Sequence, residues 1–522
     1  MAKVELYDTT LRDGAQSEGI SFSVADKLKI CAKLDELGVD FIEGGWPGAN
    51  PKDMEFFRKA KNLRLGNSEI VAFGSTCRAN IRASSDTVLK GLLSAGTKHI
   101  TIFGKSWDLH VRDVFKVDLD ENLRMISDSI NYLRSKGKRI FYDAEHFFDG
   151  YKSNREYALK TLKAARDAGA ERIILCDTNG GTVTTQVFEI IEEVRSYVDI
   201  PIGIHAHNDC EMAVANSVAA IQAGAVQVHG TINGYGERCG NANLISIIAA
   251  LKLKLGADCV SDIALKELSE IAHFVAEISN MKLQDNQPFV GNSAFAHKAG
   301  VHVNAILKNS KTYEHIDPLS VGNRRRLLIS ELSGKSTIIK KAEEMDLGIG
   351  KDTKKSKKIL KALQELESKG YHFEAAEASM ELLIKRVMKR FKNFFELEDF
   401  RVIIEKRHGG KMSSEATIKV RVGKEIEHTA SLGDGPVNAL DSALRKALRK
   451  FYPKLAEMHL TDYKVRVLDE KEGTAARVRV LIQSQDKTDS WWTIGVSENV
   501  VEASWEALVD SIEYKLLKDS KG

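Results

Sequence analysis

No single sign of charge dominates this sequence: 76 lysines and arginines stand against 73 acidic residues, a formal net charge of +3 over 522 residues. Such a balance gives no overall field for a polyanion or an anionic bilayer to follow, so no nucleic acid and no membrane are expected as partners. Small molecules and further copies of the chain remain. Cysteine is scarce too. Cys31, Cys77, Cys176, Cys210, Cys239 and Cys259 lie far apart, without the dense spacing of a secreted disulfide scaffold, and suit a reducing compartment. No apolar run is long enough to span a bilayer, and Met1 leads straight into the strand-like Val4-Glu5-Leu6-Tyr7 without a basic-then-apolar leader. A cytoplasmic location is the expectation.

What is present is enough apolar material, 43% of residues, for a sizeable core. A chain this long exceeds one ordinary core, so a large catalytic domain with one or two smaller ones is expected. The first half alternates short β-type runs with longer amphipathic segments, the pattern of repeated βα units. The runs are Val4–Leu11, Phe41–Gly45, Ile70–Thr76, His99–Lys105, Ile140–Phe147, Arg172–Thr178, Pro201–His207 and Val226–Thr231. Ser23 reads as a helix N-cap, and Gly38, Gly169 and Gly224 stand where helices end. Eight such units in about 250 residues make a closed (β/α)8 TIM barrel of the α/β class. The rival, an open doubly wound sheet, lacks its glycine fingerprint after the first strand.

In such a barrel the active site forms at the carboxyl ends of the strands, and polar chemistry gathers there in this sequence. The first run exits at Arg12-Asp13, the fifth at Glu145-His146 and the sixth at Asp177-Thr178, while the seventh ends in His205-Ala206-His207-Asn208-Asp209. Residues two apart on a strand share a face, so His205 and His207 project toward one spot. With the carboxylate of Asp13 and the amide oxygen of Asn241 they make a mixed nitrogen and oxygen shell for a divalent metal, whether Mg, Mn, Co or Zn. An isolated His-x-His is more often packing than chelate; coincidence with a barrel strand end and a first-loop Asp reverses those odds. Four protein ligands leave room for the carboxylate and carbonyl of a 2-oxo acid, and Arg12 can stabilise the alkoxide that forms when a carbon nucleophile attacks.

Three motifs together, Asp8-Thr9-Thr10-Leu11-Arg12-Asp13-Gly14-Ala15-Gln16, His205-Ala206-His207-Asn208-Asp209 and Gly236-Glu237-Arg238-Cys239-Gly240-Asn241, resemble the isopropylmalate, homocitrate and citramalate synthase family over nearly the whole chain. The segments Glu43–Gly48, Phe141–Gly150 and Leu175–Gly181 are most similar to its pyruvate-using branch. The resemblance implies condensation of acetyl-CoA with pyruvate to citramalate and free CoA. It implies Asp13, His205, His207 and Asn241 as metal ligands, Arg12 as carbonyl activator, Thr178 and Asp143 on the substrate, and Glu145 close to the reacting carbons. It also places a catalytic histidine at His302, assisted by Tyr313, in a segment that related enzymes carry into the partner subunit's site, hence a homodimer or higher homo-oligomer. His302-Val303-Asn304 departs from the family's commoner His-Gln-Asp, which leaves the neighbouring contacts open. Histidine suits the task, since a weakly acidic thioester methyl needs a base that titrates near the working pH. From chemistry alone His297 and His315 have equal claims.

These readings divide the chain into a barrel at 1–282, a helical linker subdomain at 283–395 and a C-terminal α+β domain at 396–522. The lysine run 351–361 reads as the solvated face of a helix carrying Ile359, Leu360 and Leu363. Arg324, Arg325 and Arg326 precede Ser333-Gly334-Lys335-Ser336, but the P-loop spacing is absent. The tail carries an internal ββα-type repeat, in which Thr429–Ala439 aligns with Thr493–Ala503. Paired helix starts there can hold a free amino acid's carboxylate. The resemblance makes this a regulatory domain, with isoleucine as the expected effector; a plain dimerisation module is the alternative. Rival functions are an isopropylmalate synthase, retro-aldol cleavage, carboxyl transfer, for which no carboxylated lysine stands out, and a non-catalytic amino-acid sensor, against which intact Arg12, Glu145 and His302 speak.

Overall fold

Eight short strands close into a parallel barrel in chain order in the computed structural model, which describes residues 3–328, 353–406, 410–468 and 476–520. They are β1 (Glu5–Asp8), β2 (Phe41–Gly45), β3 (Glu69–Ser75), β4 (His99–Lys105), β5 (Arg139–Glu145), β6 (Arg172–Asp177), β7 (Ile202–Ala206) and β8 (Gln227–Gly230). Closure is made by β1 on β8, Glu5 opposite Gln227 through Asp8 opposite Gly230. Every run expected from the sequence becomes a strand. The first is shorter than its apolar content suggests, because the Asp8 carboxylate accepts from Thr10 N and Thr10 Oγ1, both at 2.8 Å, and turns the chain out of the sheet. Arg12 and Asp13 are therefore delivered by a tight turn beyond the strand.

Helix ends follow their local chemistry. Ser23 and Asp26 form a reciprocal capping box at the start of the helix Val24–Leu37, and Gly38 closes it at φ 87°. Most buried apolar side chains pack between the strands and this outer ring of helices. A separate group, Tyr7, Val71 and Phe141 with Phe41 against them, packs from β1, β2, β3 and β5, with the Phe41 and Phe141 rings 5.0 Å apart edge to face.

The chain divides into two compact units, 1–295 with 315–325, and 296–314 with 326–522. The stretch expected to be helical throughout also contains a two-residue parallel ladder, β9 (Ala296–His297) on β10 (Arg326–Leu327). Two residues per strand are too few to leave a period in the sequence. The helix Thr353–Ser368 buries Ile359 and Leu363 as expected. Ser333–Ser336 lie outside the described residues.

The tail holds two copies of a three-stranded antiparallel sheet followed by a helix: β11 (Glu396–Lys406), β12 (Met412–Val422), β13 (Glu425–Gly433) and the helix Pro436–Arg449, then β14 (His459–Val467), β15 (Val478–Gln485), β16 (Ser490–Ser497) and the helix Val500–Asp519. The repeat is thus βββα, one strand longer than the expected ββα. β11 and β14 are mostly exposed and lie before the aligned segments Thr429–Ala439 and Thr493–Ala503, so the alignment that revealed the repeat does not reach them. The aligned segments correspond in secondary structure as in sequence: both helices begin seven residues into them, with Gly435 and Asn499 as equivalent N-caps.

Candidate active site at the barrel mouth

The turn after β1 and the end of β7 bring three metal-binding side chains together. His205 Nε2 lies 3.4 Å from Asp13 Oδ2 and His207 Nε2 4.0 Å from it, with the two imidazole nitrogens 3.4 Å apart. All three residues are buried, and their ligand atoms fall within 4.8 Å of one another. Asn241 is bridged to His207 through the backbone, and its Oδ1 is buried without a protein hydrogen bond. An acceptor left bare in this way needs a donor or a cation. Two imidazoles, a carboxylate and an amide oxygen fit a borderline divalent ion, which leaves Mg, Mn, Co and Zn open. Burial, together with the neighbouring His205, pushes His207 down to about 4, keeping it neutral and able to coordinate. Burial alone would raise Asp13, but Arg12 and His205 outweigh it and hold the carboxyl well below the usual carboxylate range.

Arg12 is fixed on three sides. Its Nε donates to Glu43 Oε2 at 2.5 Å, its Nη1 to Asp13 Oδ2 at 3.1 Å, and its guanidinium sits 3.8 Å over the Phe73 ring. Glu43 is fully buried, and its other oxygen accepts from the Tyr7 hydroxyl at 2.8 Å. A cation so held is preorganised toward the cavity.

A cavity of about 230 Å³ opens beside this cluster, lined among others by Arg12, Asp13, Asp143, Glu145, Thr178, His205 and His207. The candidate substrate residues thus meet the candidate ligands in one place. Thr178 Oγ1 accepts from His146 N at 2.9 Å. Asp143 has a buried oxygen, Oδ1, without a partner, and burial pushes the carboxyl up to about 7, opposed by His205 and Arg12. Residues to which sequence reasoning gave no role in the site complete the wall: Trp46 packs edge to face on Phe73 at 6.1 Å and on Phe103 at 5.7 Å, and Phe73 and Phe103 stack 5.5 Å apart. Their signal was present as apolar residues near strand ends, but it is the signal of a core.

His302 and Tyr313 belong to the second unit, where their rings stack 4.0 Å apart, so the structure pairs the two residues expected to act together. His297 is engaged with Glu314, Nε2 to Oε1 at 3.2 Å, and the His315 ring packs on Phe289 and Phe295. His297 is thus held by a hydrogen bond, and His315, like His302, packs on neighbouring rings.

The fold and site define an HMGL-like barrel enzyme extended by a LeuA-type domain. Residues 3–275 match the HMGL-like family, 289–370 the homocitrate synthase post-HMGL domain-like family and 374–516 the LeuA allosteric (dimerisation) domain. The chain is 56% identical to the (R)-citramalate synthase of Geobacter sulfurreducens over 522 residues, covering 100% of this chain and 99% of that one. It is 56% identical to the (R)-citramalate synthase of Aquifex aeolicus over 521 residues, 99% of each chain. A 2-isopropylmalate synthase of Methanocaldococcus jannaschii is more distant, at 32% over 523 residues, 99% of this chain and 96% of that one. The chain belongs to the (R)-citramalate synthase family, and its class is that of the condensing acyltransferases that convert an acyl group to alkyl on transfer.

Proposed function

We propose that this chain condenses acetyl-CoA with pyruvate and hydrolyses the thioester, giving (R)-citramalate and free CoA for isoleucine synthesis. The observation that carries the reading is the convergence of Asp13, His205, His207 and Arg12 on one small cavity with an aromatic wall. Asp13, His205, His207 and Asn241 would hold a divalent metal, which when bound supplies Lewis-acid polarisation of the 2-oxo acid carbonyl. Thr178 and Asp143 orient the substrate. A proton leaves the acetyl methyl for His302, assisted by Tyr313, and the new carbon–carbon bond forms at C2 of pyruvate. Arg12 stabilises the oxyanion that develops there, with Glu145 beside the reacting carbons. Water then breaks the thioester, and the thiol leaves as CoA.

Three working parts, a catalytic domain at 1–282, a linker at 283–395 and a regulatory dimerisation domain at 396–522, agree in number and order with the family matches, although the LeuA match already begins at residue 374. Among the described residues no helix is long and apolar enough to cross a membrane. The reading puts the enzyme in the cytoplasm as a homodimer with isoleucine as effector. Turnover of acetyl-CoA with pyruvate, 2-oxobutanoate and 3-methyl-2-oxobutanoate tests the substrate. Pyruvate is expected to lead, with some activity on 2-oxobutanoate, since one methylene discriminates by only about 1–3 kcal/mol. A higher kcat/KM for 3-methyl-2-oxobutanoate would make the chain an isopropylmalate synthase instead.

A further inference from the structure

Between the carboxyl ends of β4 and β5 lies a cation that the reaction as written leaves unused. The strand register sets Lys105 opposite Glu145, and Ser106 N donates to Glu145 O at 3.1 Å, extending the ladder one step. Lys105 Nζ donates to Glu145 Oε2, and the two side chains are 11% and 23% exposed. The ammonium also lies 5.6 Å from the ring centre of Phe103 and 5.7 Å from that of Phe115. Phe115 is delivered by the π-helical turn His110–Phe115. Asn122, fully buried, donates through Nδ2 to Lys105 O and to the Tyr157 hydroxyl, both at 2.8 Å. The lysine is thus fixed at its backbone by a buried amide and at its tip by a carboxylate and two aromatic faces. A cation this far out of water does not exchange partners freely.

Glu145 lines the cavity and Lys105 does not. Its ammonium therefore meets the reaction through Glu145. We infer that Lys105 is a positioning residue for Glu145: it holds the carboxylate at the cavity wall and offsets its charge beside Asp13, Asp143 and an anionic 2-oxo acid. The inference rests on the reading that puts Glu145 next to the reacting carbons. A reactive group displaced by about 1 Å loses on the order of 100-fold in rate.

A double-mutant cycle on the full-length, metal-loaded enzyme separates the two ideas. Lys105→Met is expected to lower kcat about 10- to 100-fold while KM for pyruvate changes less than about threefold. Lys105→Arg, which keeps the charge, restores kcat to within about fivefold of the parent. If Lys105 acts only through Glu145, the double variant with Glu145→Gln is no slower than Glu145→Gln alone, within about twofold. Additive losses, or an unchanged kcat in Lys105→Met, overturn the positioning role and leave the reading of Glu145 standing. Full activity in Glu145→Gln overturns that reading itself, and the role of Lys105 with it. Thermal unfolding and metal content are measured on each variant, and Lys105→Gln, a neutral donor to the same carboxylate, takes the place of the methionine variant if that one fails to fold.

Discussion

At the scale of single residues, the candidate metal cluster depends on positions that no donor atom reveals. Gly236 is the clearest. A Cβ there would lie 2.1 Å from Asn241 Nδ2 and 3.1 Å from Asn241 N, so any larger residue must displace the amide whose Oδ1 is bare. Gly236→Ala is expected to lower kcat/KM at least about tenfold and to weaken metal retention, as the loss of a ligand does. His207→Ala serves as the calibration, and the readouts are metal content after dialysis against a weak chelator together with turnover. Equal metal content and turnover in parent and Gly236→Ala would remove Asn241 from the ligand set. The candidate cluster was legible in the sequence because His205 and His207 obey the period of a strand and Asp13 follows another strand. The roles of Glu43, Trp46, Phe73 and Phe103 at the site were not, since their convergence is set by register between strands, which one strand's sequence does not carry.

Among the elements, the helices Glu377–Val387 and Val500–Asp519 are joined by a guanidinium between two carboxylates. Arg386 Nη2 donates to Asp510 Oδ1 at 2.8 Å and to Glu513 Oε2, with the carboxylate side chains 12% and 3% exposed. Burial raises both carboxyls, Glu513 to about 7 from 4.5, and Arg386 opposes the rise. The sign follows: between those values the folded chain binds more proton at Glu513 than the unfolded chain does, so this group's contribution to stability falls as pH climbs through the window. Arg386→Met removes the only cation of the three and is expected to cost about 2–3 kcal/mol at pH 8, less than a fully buried pair because the arginine side chain is 37% exposed. At pH 5.5, where Glu513 is protonated in the folded chain, the loss should shrink. Chemical denaturation at both pH values checks it, and an equal loss at each would mean that the carboxylates do not take up protons. The first helix lies in the stretch read as helical from its period and the second at the end of the tail repeat; this triad was not legible, because Arg386 and Glu513 are far apart in the chain and each alone reads as a solvated face.

For the whole molecule the question is whether the tail repeat governs the barrel. Residues 374–516 match an allosteric (dimerisation) domain, and the proposed seats of an effector carboxylate are the two equivalent helix starts, Gly435 and Asn499. The two seats are unequal. Asn499 Oδ1 already accepts from Val501 N at 2.8 Å, whereas at Gly435 no side chain caps the helix and a Cβ would meet nothing within 4 Å. Gly435 is therefore the place to block an incoming carboxylate. Ala503 is unsuitable, because it is fully buried among Val480, Ile482, Ala507 and Leu508, so a larger residue there would overpack a core. Isoleucine is expected to inhibit the intact enzyme and leucine to do so less, while Gly435→Phe keeps basal turnover and loses the response. Because coupling is reciprocal, saturating pyruvate must weaken isoleucine binding by the factor by which isoleucine weakens pyruvate binding, typically about 1–3 kcal/mol. Calorimetric titration of isoleucine with and without pyruvate measures one side of that identity, and titration of pyruvate with and without isoleucine the other. Rates that are the same with isoleucine, with leucine and with neither would leave the repeat a dimerisation module, and a response that survives Gly435→Phe would move the effector away from this helix start.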